Sequence, residues 1–327
     1  MKALLLRKAG QLDPVSCPKP RVGRDDVLLK VSLCGICKTD AKMWRQGHRD
    51  LVLPRILGHE IIGVLDGTTE TCAVWPGKAC GRCRFCRQGN ENLCSRMQVL
   101  GFHRDGGFAH YVAVHRKAII PIPRELSPLA ACFAEPLACC INAFACPGMG
   151  TGGRGLVYGG GTAGLLAALA AVSAGQTPFV LEPSCAKLEK SRSFRRKTGI
   201  AAGSTIRSGT FDWVINAAPY LETFTDGIAR LQTGGSFCLF SGFIDTTRTL
   251  PAAVLNEVHY RQLTVAGAYG CTRAQMQQAL EVLLQYGAAV HELIEDIITL
   301  EAVPGALHSM QSGDTFKYII DLNSENR

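Results

Sequence analysis

Four cysteines, Cys80, Cys83, Cys86 and Cys94, follow one another with two, two and seven residues between them, in a segment rich in arginine and glycine. Such a segment gives thiols no apolar core to pack into, so convergence on one ion is the reading that accounts for the spacing. An all-sulfur tetrahedral shell suits zinc and leaves no vacancy for a substrate, so this site is expected to be structural. An iron–sulfur cluster uses the same ligand set and spacing alone does not separate the two; zinc is the expected occupant. Fifteen cysteines in 327 residues is an odd count in a chain too long to need staples. Free thiols and metal ligands are therefore expected rather than disulfides, and with them a reducing compartment.

A second constellation lies upstream. Cys37-Lys38-Thr39-Asp40 is followed by Trp44 and by Gly58-His59-Glu60. Thiolate and imidazole are preferred zinc donors, and a site with few protein ligands keeps a position open for water or substrate. Taken alone, the pair reads better as a buried cysteine and a hydrogen-bonded histidine that never meet; the residues further along the chain are what favour a metal. Glu135 stands between apolar neighbours and before Pro136, a residue favoured at the first helical position, so Glu135 is expected just ahead of a helix. A carboxylate in that setting is costly unless paired or metal-bound, and it reads as a ligand, with an N-cap as the alternative. Cys139 and Cys140 read as core thiols. Cys34 and Cys37 form a C-x-x-C pair, but no βαβ pattern precedes it.

Residues 1–33 alternate apolar and polar positions between prolines and suggest antiparallel strands. Helix and strand breakers then cluster from Pro147 to Gly153 and mark a boundary. Beyond it a strand, Leu156-Val157-Tyr158, runs into Gly159-Gly160-Gly161-Thr162-Ala163-Gly164, an apolar helix from Leu165 to Ala174, and a second strand, Phe179-Val180-Leu181, ending at Glu182. A glycine loop between strand and helix, with an acid about 20 residues on, is the dinucleotide fingerprint in its proper setting. Gly159 would permit the tight turn, Gly161 the approach of a pyrophosphate, and Gly164 close helix packing; Thr162 and Ala163 complete the loop at the helix N-terminus. Glu182 would bind an adenosine ribose and repel a 2'-phosphate, favouring NAD over NADP, while the basic run from Lys187 to Lys197 pulls the other way. Further strands are expected at Trp213-Val214-Ile215, Ser236 to Phe240 and Leu263 to Gly267, with an amphipathic helix near Ala274 to Tyr286. The fold class is α/β.

The formal charge is +8. Basic residues gather between Lys78 and Arg96, which as a binding lobe would suggest nucleic acid; few aromatics interleave with those arginines, and that rival leaves Glu135 and Glu182 unexplained. Lys42, Arg45, His48 and Arg49 recur at short intervals, and their shared charge suggests an anionic group on a substrate. No apolar run approaches the length of a membrane span, and Arg7 cuts Met1 to Leu6 too early for a signal peptide, so a cytoplasmic chain with no membrane partner is expected.

Together these motifs resemble the zinc-dependent medium-chain dehydrogenases, from Val27 to about Asp321, and Glu135-Pro136-Leu137 is more similar to the polyol (sorbitol) and threonine dehydrogenase branch. The resemblance implies a GroES-like β-rich catalytic domain at 1–146 carrying the zinc lobe at 80–94, a Rossmann domain with a doubly wound parallel sheet at 147–290, and a segment at 291–327 returning to the first. It implies two zinc ions per chain: a catalytic one held by Cys37, His59 and Glu135, with Glu60 as a fourth or water-linked ligand, and the structural one. It further implies that Thr39 takes the alcohol proton, that Asp40 orients His59, that Lys38 meets the cofactor pyrophosphate and that Lys187 lies beside the ribose. Lys42 stands where relatives often carry a relay histidine. The expected activity is hydride transfer between a secondary alcohol, such as a polyol, sugar derivative or hydroxy amino acid, and NAD, in a homodimer or homotetramer joined near Leu263 to Gly267. A dehydrogenase fold retained for binding only is the remaining alternative.

Overall fold

Contacts divide the chain into two units, Met1–Glu135 with Cys271–Arg327, and Pro136–Gly270. The computed structural model describes residues 1–150, 153–206 and 209–323; Gly152, among the expected breakers, lies outside them.

The first unit is built on a seven-stranded sheet ordered Ile119–Pro121, Thr71–Val74, Glu60–Leu65, Asp26–Ile36, Lys317–Asp321, Ile294–Ile298, with Tyr111–His115 also paired to Asp26–Ile36. Strand Asp26–Ile36 starts half-exposed and ends in four consecutive buried residues, Leu33 to Ile36. Its alternating first half can face solvent on one side, whereas its end needs cover on both. That end is flanked by two antiparallel neighbours far away in sequence: Gly35 is opposite Glu60, and Ile36 is opposite Tyr318. A smaller sheet joins Gln11–Ser16, Lys2–Lys8 and Arg55–Ile56.

The second unit is a six-stranded sheet, ordered Ala201–Gly203, Thr177–Leu181, Arg154–Tyr158, Phe211–Asn216, Leu231–Leu239, Thr264–Gly267. Every pairing is parallel. Numbered within the unit this is 3-2-1-4-5-6, the Rossmann order, with its switch point between Arg154–Tyr158 and Phe211–Asn216. The central strands Arg154–Tyr158 and Phe211–Asn216 are buried over most of their length, and Leu156, Val214, Phe224, Ile228 and Phe237 form part of one buried core. The fold is thus α/β, with a β-rich first unit and a Rossmann second unit.

Several expected bounds shift. Glu135 lies inside the first turn of helix Ala134–Phe144, not ahead of it; a first turn tolerates Pro136 because its N–H would be unpaired there anyway. The glycine-loop helix begins at Thr162 rather than Leu165 and runs to Ser173. The strand expected from Ser236 starts at Leu231 and carries Gly234 at φ +77°. The division between units falls at 135/136 and 270/271, earlier than the expected 146/147 and 290/291. Helix Arg273–Val290, capped by Thr272, accordingly belongs to the first unit. Its Gly287 lies against Leu126 and Ala130, and Ser127 Oγ is 3.0 Å from His291 Nε2 just beyond its end. No described helix is long and apolar enough to cross a membrane.

Candidate functional site

The four cysteines of 80–94 converge. Their sulfurs all lie within 4.8 Å of one another, with Cys83 and Cys86 3.4 Å apart and Cys80 and Cys86 3.9 Å apart. The backbone N–H of Cys80 donates to Cys94 Sγ at 3.4 Å. Backbone N–H groups of Arg82 and Cys83, with the Arg96 side chain, hold the Cys80 thiol down to about 5, while burial and the thiol of Cys83 push Cys86 up to about 12. Four sulfurs in contact cannot all ionise against one another, and a dication removes the conflict. The residues fit a tetrahedral metal.

In the first unit, Cys37, His59 and Glu60 also place their donor atoms within 4.8 Å of one another. Helix Lys38–Gln46 fixes this geometry. Cys37 is its N-cap and its sulfur accepts from the Thr39 N–H at 3.4 Å; Asp40 reaches back to accept from the Cys37 N–H at 2.9 Å. This is a capping box with sulfur in place of a hydroxyl. The same buried Asp40 accepts from the Gly58 N–H at 3.3 Å and stands 3.5 Å from His59 Nδ1. That nitrogen is buried without a hydrogen-bond partner, and turning it to Asp40 leaves Nε2 for a metal. Burial disfavours a charged His59, but Asp40 and Cys37 outweigh it and raise the ring well above its usual range, an affinity for positive charge that a metal would satisfy.

Glu135 is buried and lies outside that group of three. Asp40, Glu60 and Glu135 are all buried, and Lys317 is the one buried lysine or arginine among the described residues. The buried charge is net negative, and sulfur, imidazole and carboxylate together suit zinc. The donor chemistry fits.

Thr39 is half-buried, whereas Lys38 and Lys42 are exposed on the same helix. Arg45 and Arg49 are exposed and His48 is half-buried against Phe102, ring centroids 5.5 Å apart. Phe102 also packs on the His59 ring at 5.4 Å. Cys34 does not join Cys37; it is buried, stays a thiol and donates to the Gly35 carbonyl at 3.6 Å.

In the second unit Gly159 takes φ +97° at the end of its strand, a conformation L side chains rarely adopt. A Cβ on Gly164 would lie 1.8 Å from the Gly159 carbonyl oxygen, so only glycine lets the helix sit this close. The helix N-terminus at Gly161, Thr162 and Ala163 has no side-chain cap, which leaves its N–H groups for an anion. Buried Glu182 accepts from the N–H groups of Gly160 and Ser184, and Lys187 Nζ is 3.7 Å from it.

Two participants escaped the sequence reading. Phe102 carried no signal. Lys317 did: a lysine opening the run Lys317-Tyr318-Ile319-Ile320 is costly to bury without a partner. Its partner, Glu60, is 257 positions away.

Residues 23–124 match the alcohol dehydrogenase GroES-like domain. The chain is 26% identical to sorbitol dehydrogenase of Halalkalibacterium halodurans over 98% of this chain and 99% of that one. It is 26% identical to L-threonine 3-dehydrogenase of Chelativorans sp. over 98% of each. The crystal structure of a protein described as a zinc-binding dehydrogenase, from Sinorhizobium meliloti 1021 and bound to NADP, matches with a TM-score of 0.86 and 28% identity over 98% of each chain.

Proposed function

This chain belongs to the zinc-dependent medium-chain dehydrogenases, in the polyol and threonine dehydrogenase branch, and we propose that it interconverts a small secondary alcohol and its ketone with NAD. It is an alcohol or polyol dehydrogenase using zinc and a nicotinamide dinucleotide. The observation that carries the finer reading is the meeting of half-buried Cys37 with buried His59, both oriented by Asp40, in a cluster of net negative charge. Zinc bound there would supply Lewis acidity toward an alcohol oxygen, and the nicotinamide would accept the hydride.

The chain's own residues do the rest. Cys37, His59 and Glu135 would hold the catalytic zinc, with Glu60 as a fourth or water-linked ligand, and Cys80, Cys83, Cys86 and Cys94 the structural one. Asp40 keeps His59 in one orientation. Thr39 Oγ1 takes the alcohol proton, which leaves toward solvent past Lys42, exposed one turn further along the helix. Lys38, the loop Gly159 to Gly164, Glu182 and Lys187 would bind the dinucleotide, and the Glu182 carboxylate favours NAD over NADP. The substrate is a polyol, sugar derivative or hydroxy amino acid such as threonine. Lys42, Arg45, His48 and Arg49 suit an anionic group on it; equal kcat/KM for a neutral polyol and its phosphate ester at low salt would remove that part. The partners are this substrate and a second copy of the chain, not nucleic acid or membrane.

The test is metal content together with the fluorescence of NADH, for the wild type and Glu135→Ala. Two zincs per chain in the wild type, one in the variant and NADH bound by both support the reading. Failure of zinc-loaded protein to bind NADH sinks it.

A further inference from the structure

A cavity of about 690 Å³ opens in the first unit, and none of the metal donors lines it. Three parts of that unit make its wall. Arg45 comes from the last turn of helix Lys38–Gln46, His308 and Gln311 from helix Val303–Ser309 and the turn Met310–Ser312 after it, and Thr315 and Tyr318 from the start of strand Lys317–Asp321 and the residues leading into it. The volume falls in the range of about 300–1,000 Å³ usual for sites that hold a small molecule.

Polar groups without partners converge on this wall. Among the described residues, the side chains of Arg45, His308, Gln311 and Tyr318 make no hydrogen bond or ion pair. Thr315 Oγ1 is shielded from solvent and also lacks a partner, a costly state for a hydroxyl unless a ligand completes it. The loop that carries it is tied down: Ser312 Oγ donates to the Ser309 carbonyl at 3.0 Å and accepts from the Asp314 N–H at 3.2 Å, and the Phe316 N–H donates to Glu295 at 2.7 Å. No carboxylate lines the cavity; Asp314, next to Thr315, is exposed and outside the wall. An exposed arginine by itself would be a solvated surface charge. Here it shares a wall with a shielded hydroxyl and a phenol, both open to an acceptor.

We propose that this cavity binds a small phosphomonoester, its phosphate held by the Arg45 guanidinium and by neutral donors from Gln311, Thr315 and Tyr318. A guanidinium presents paired N–H groups that match phosphate oxygens. A carboxylate offers two oxygens in one plane, whereas donors arriving from a helix, a turn and a strand enclose a tetrahedral group on several sides. The remaining volume takes the organic part of the ester. The site is separate from the zinc: Arg45 stands eight residues past Cys37 on the same helix, about 12 Å of axial rise. Its ligand is therefore a second molecule beside the alcohol, and Lys42, His48 and Arg49 are left for an anionic group on the substrate. The site exists whether or not the chain performs the proposed reaction.

The experiment is titration calorimetry of the full-length, zinc-loaded protein at low salt with methyl phosphate, which carries no alcohol to oxidise, in the presence of NADH to occupy the glycine loop. Wild type is compared with Arg45→Met, Tyr318→Phe, Thr315→Val and Lys42→Met. The expected results are a Kd at or below about 1 mM in the wild type, weakened about tenfold or more in Arg45→Met and about threefold or more in Tyr318→Phe and Thr315→Val, and unchanged in Lys42→Met. Thr315→Val should lose affinity without losing thermal stability, because the hydroxyl it removes has no partner within the chain. Inorganic phosphate should displace methyl phosphate, and acetate at the same concentration should not. No binding by the wild type at millimolar concentration overturns the proposal, and so does binding that Arg45→Met and Tyr318→Phe leave intact. A loss in Lys42→Met as large as in Arg45→Met puts the ion nearer the catalytic end of the helix and overturns it as well. Failure to bind NADH sinks the dehydrogenase reading alone; the same comparison of variants without the dinucleotide then decides this site.

Discussion

The Glu182 carboxylate accepts a 2.8 Å hydrogen bond from the backbone N–H of Gly160, tying the end of the second Rossmann strand to the glycine loop that follows the first. Its other oxygen accepts from the Ser184 N–H at 2.9 Å, so the acid is held at the strand end with both oxygens oriented. Such a carboxylate can still accept from ribose hydroxyls, because each oxygen has a second lone pair.

From this follows a cofactor prediction. Hydrogen bonds to a charged group contribute about 1.5–3 kcal/mol each, so Glu182→Ala should cost at least about tenfold in kcat/KM for NAD. Removing the negative charge should also raise the ratio of NADP to NAD use by about tenfold or more. Steady-state kinetics with both cofactors measures this, and an unchanged ratio would mean that the carboxylate does not select.

The cysteine lobe makes a prediction in pH. Cys80 is already a thiolate near neutrality, but Cys86 is raised to about 12 and must lose its proton when zinc binds. Protons therefore compete with zinc at every pH below about 12, and affinity should rise by about tenfold per pH unit across pH 6 to 8 for each proton released. Chelator competition at several pH values reads the slope. Cys86→Ser should lower the zinc content by one per chain, and a flat pH dependence would count against a thiolate site.

Gly35→Ala would drive a methyl into Glu60 Oε2 at 2.0 Å and Glu60 Cβ at 3.1 Å. Overpacking of this kind costs about 1–3 kcal/mol, more where the displaced group is a paired charge. Denaturant unfolding should show a loss of at least about 2 kcal/mol. Stability within 0.5 kcal/mol of wild type would mean that Glu60 and Lys317 can move aside at about the cost of a surface change.

Strand Thr264–Gly267 pairs with Leu231–Leu239 on one side and with no other described strand, and Val265 on it is 38% exposed. An open edge with an exposed apolar residue is a template for pairing with a second copy. If the oligomer forms there, Val265→Lys should shift sedimentation toward monomer at micromolar concentration. An oligomer unaffected by the charge would place the interface elsewhere.

Much of this molecule was written locally. The strand, glycine loop, helix and acid of the Rossmann unit lie within a few tens of residues, and each glycine answers a short-range steric demand, as Gly159 and Gly164 show. The four-cysteine lobe is likewise a single short loop whose spacing brings the sulfurs together. Cys37 with Asp40 closes a capping box over three residues, again a local matter. What the sequence could not place was anything set by pairing between distant strands. Lys317 meets Glu60 only because Lys317–Asp321 and Glu60–Leu65 flank the same central strand, and nothing in the spacing of 257 residues announces it. Phe102 between the rings of His48 and His59 is of the same kind. Local geometry therefore determined which groups this protein carries; sheet register, fixed by burial across the whole first unit, decided which of them touch.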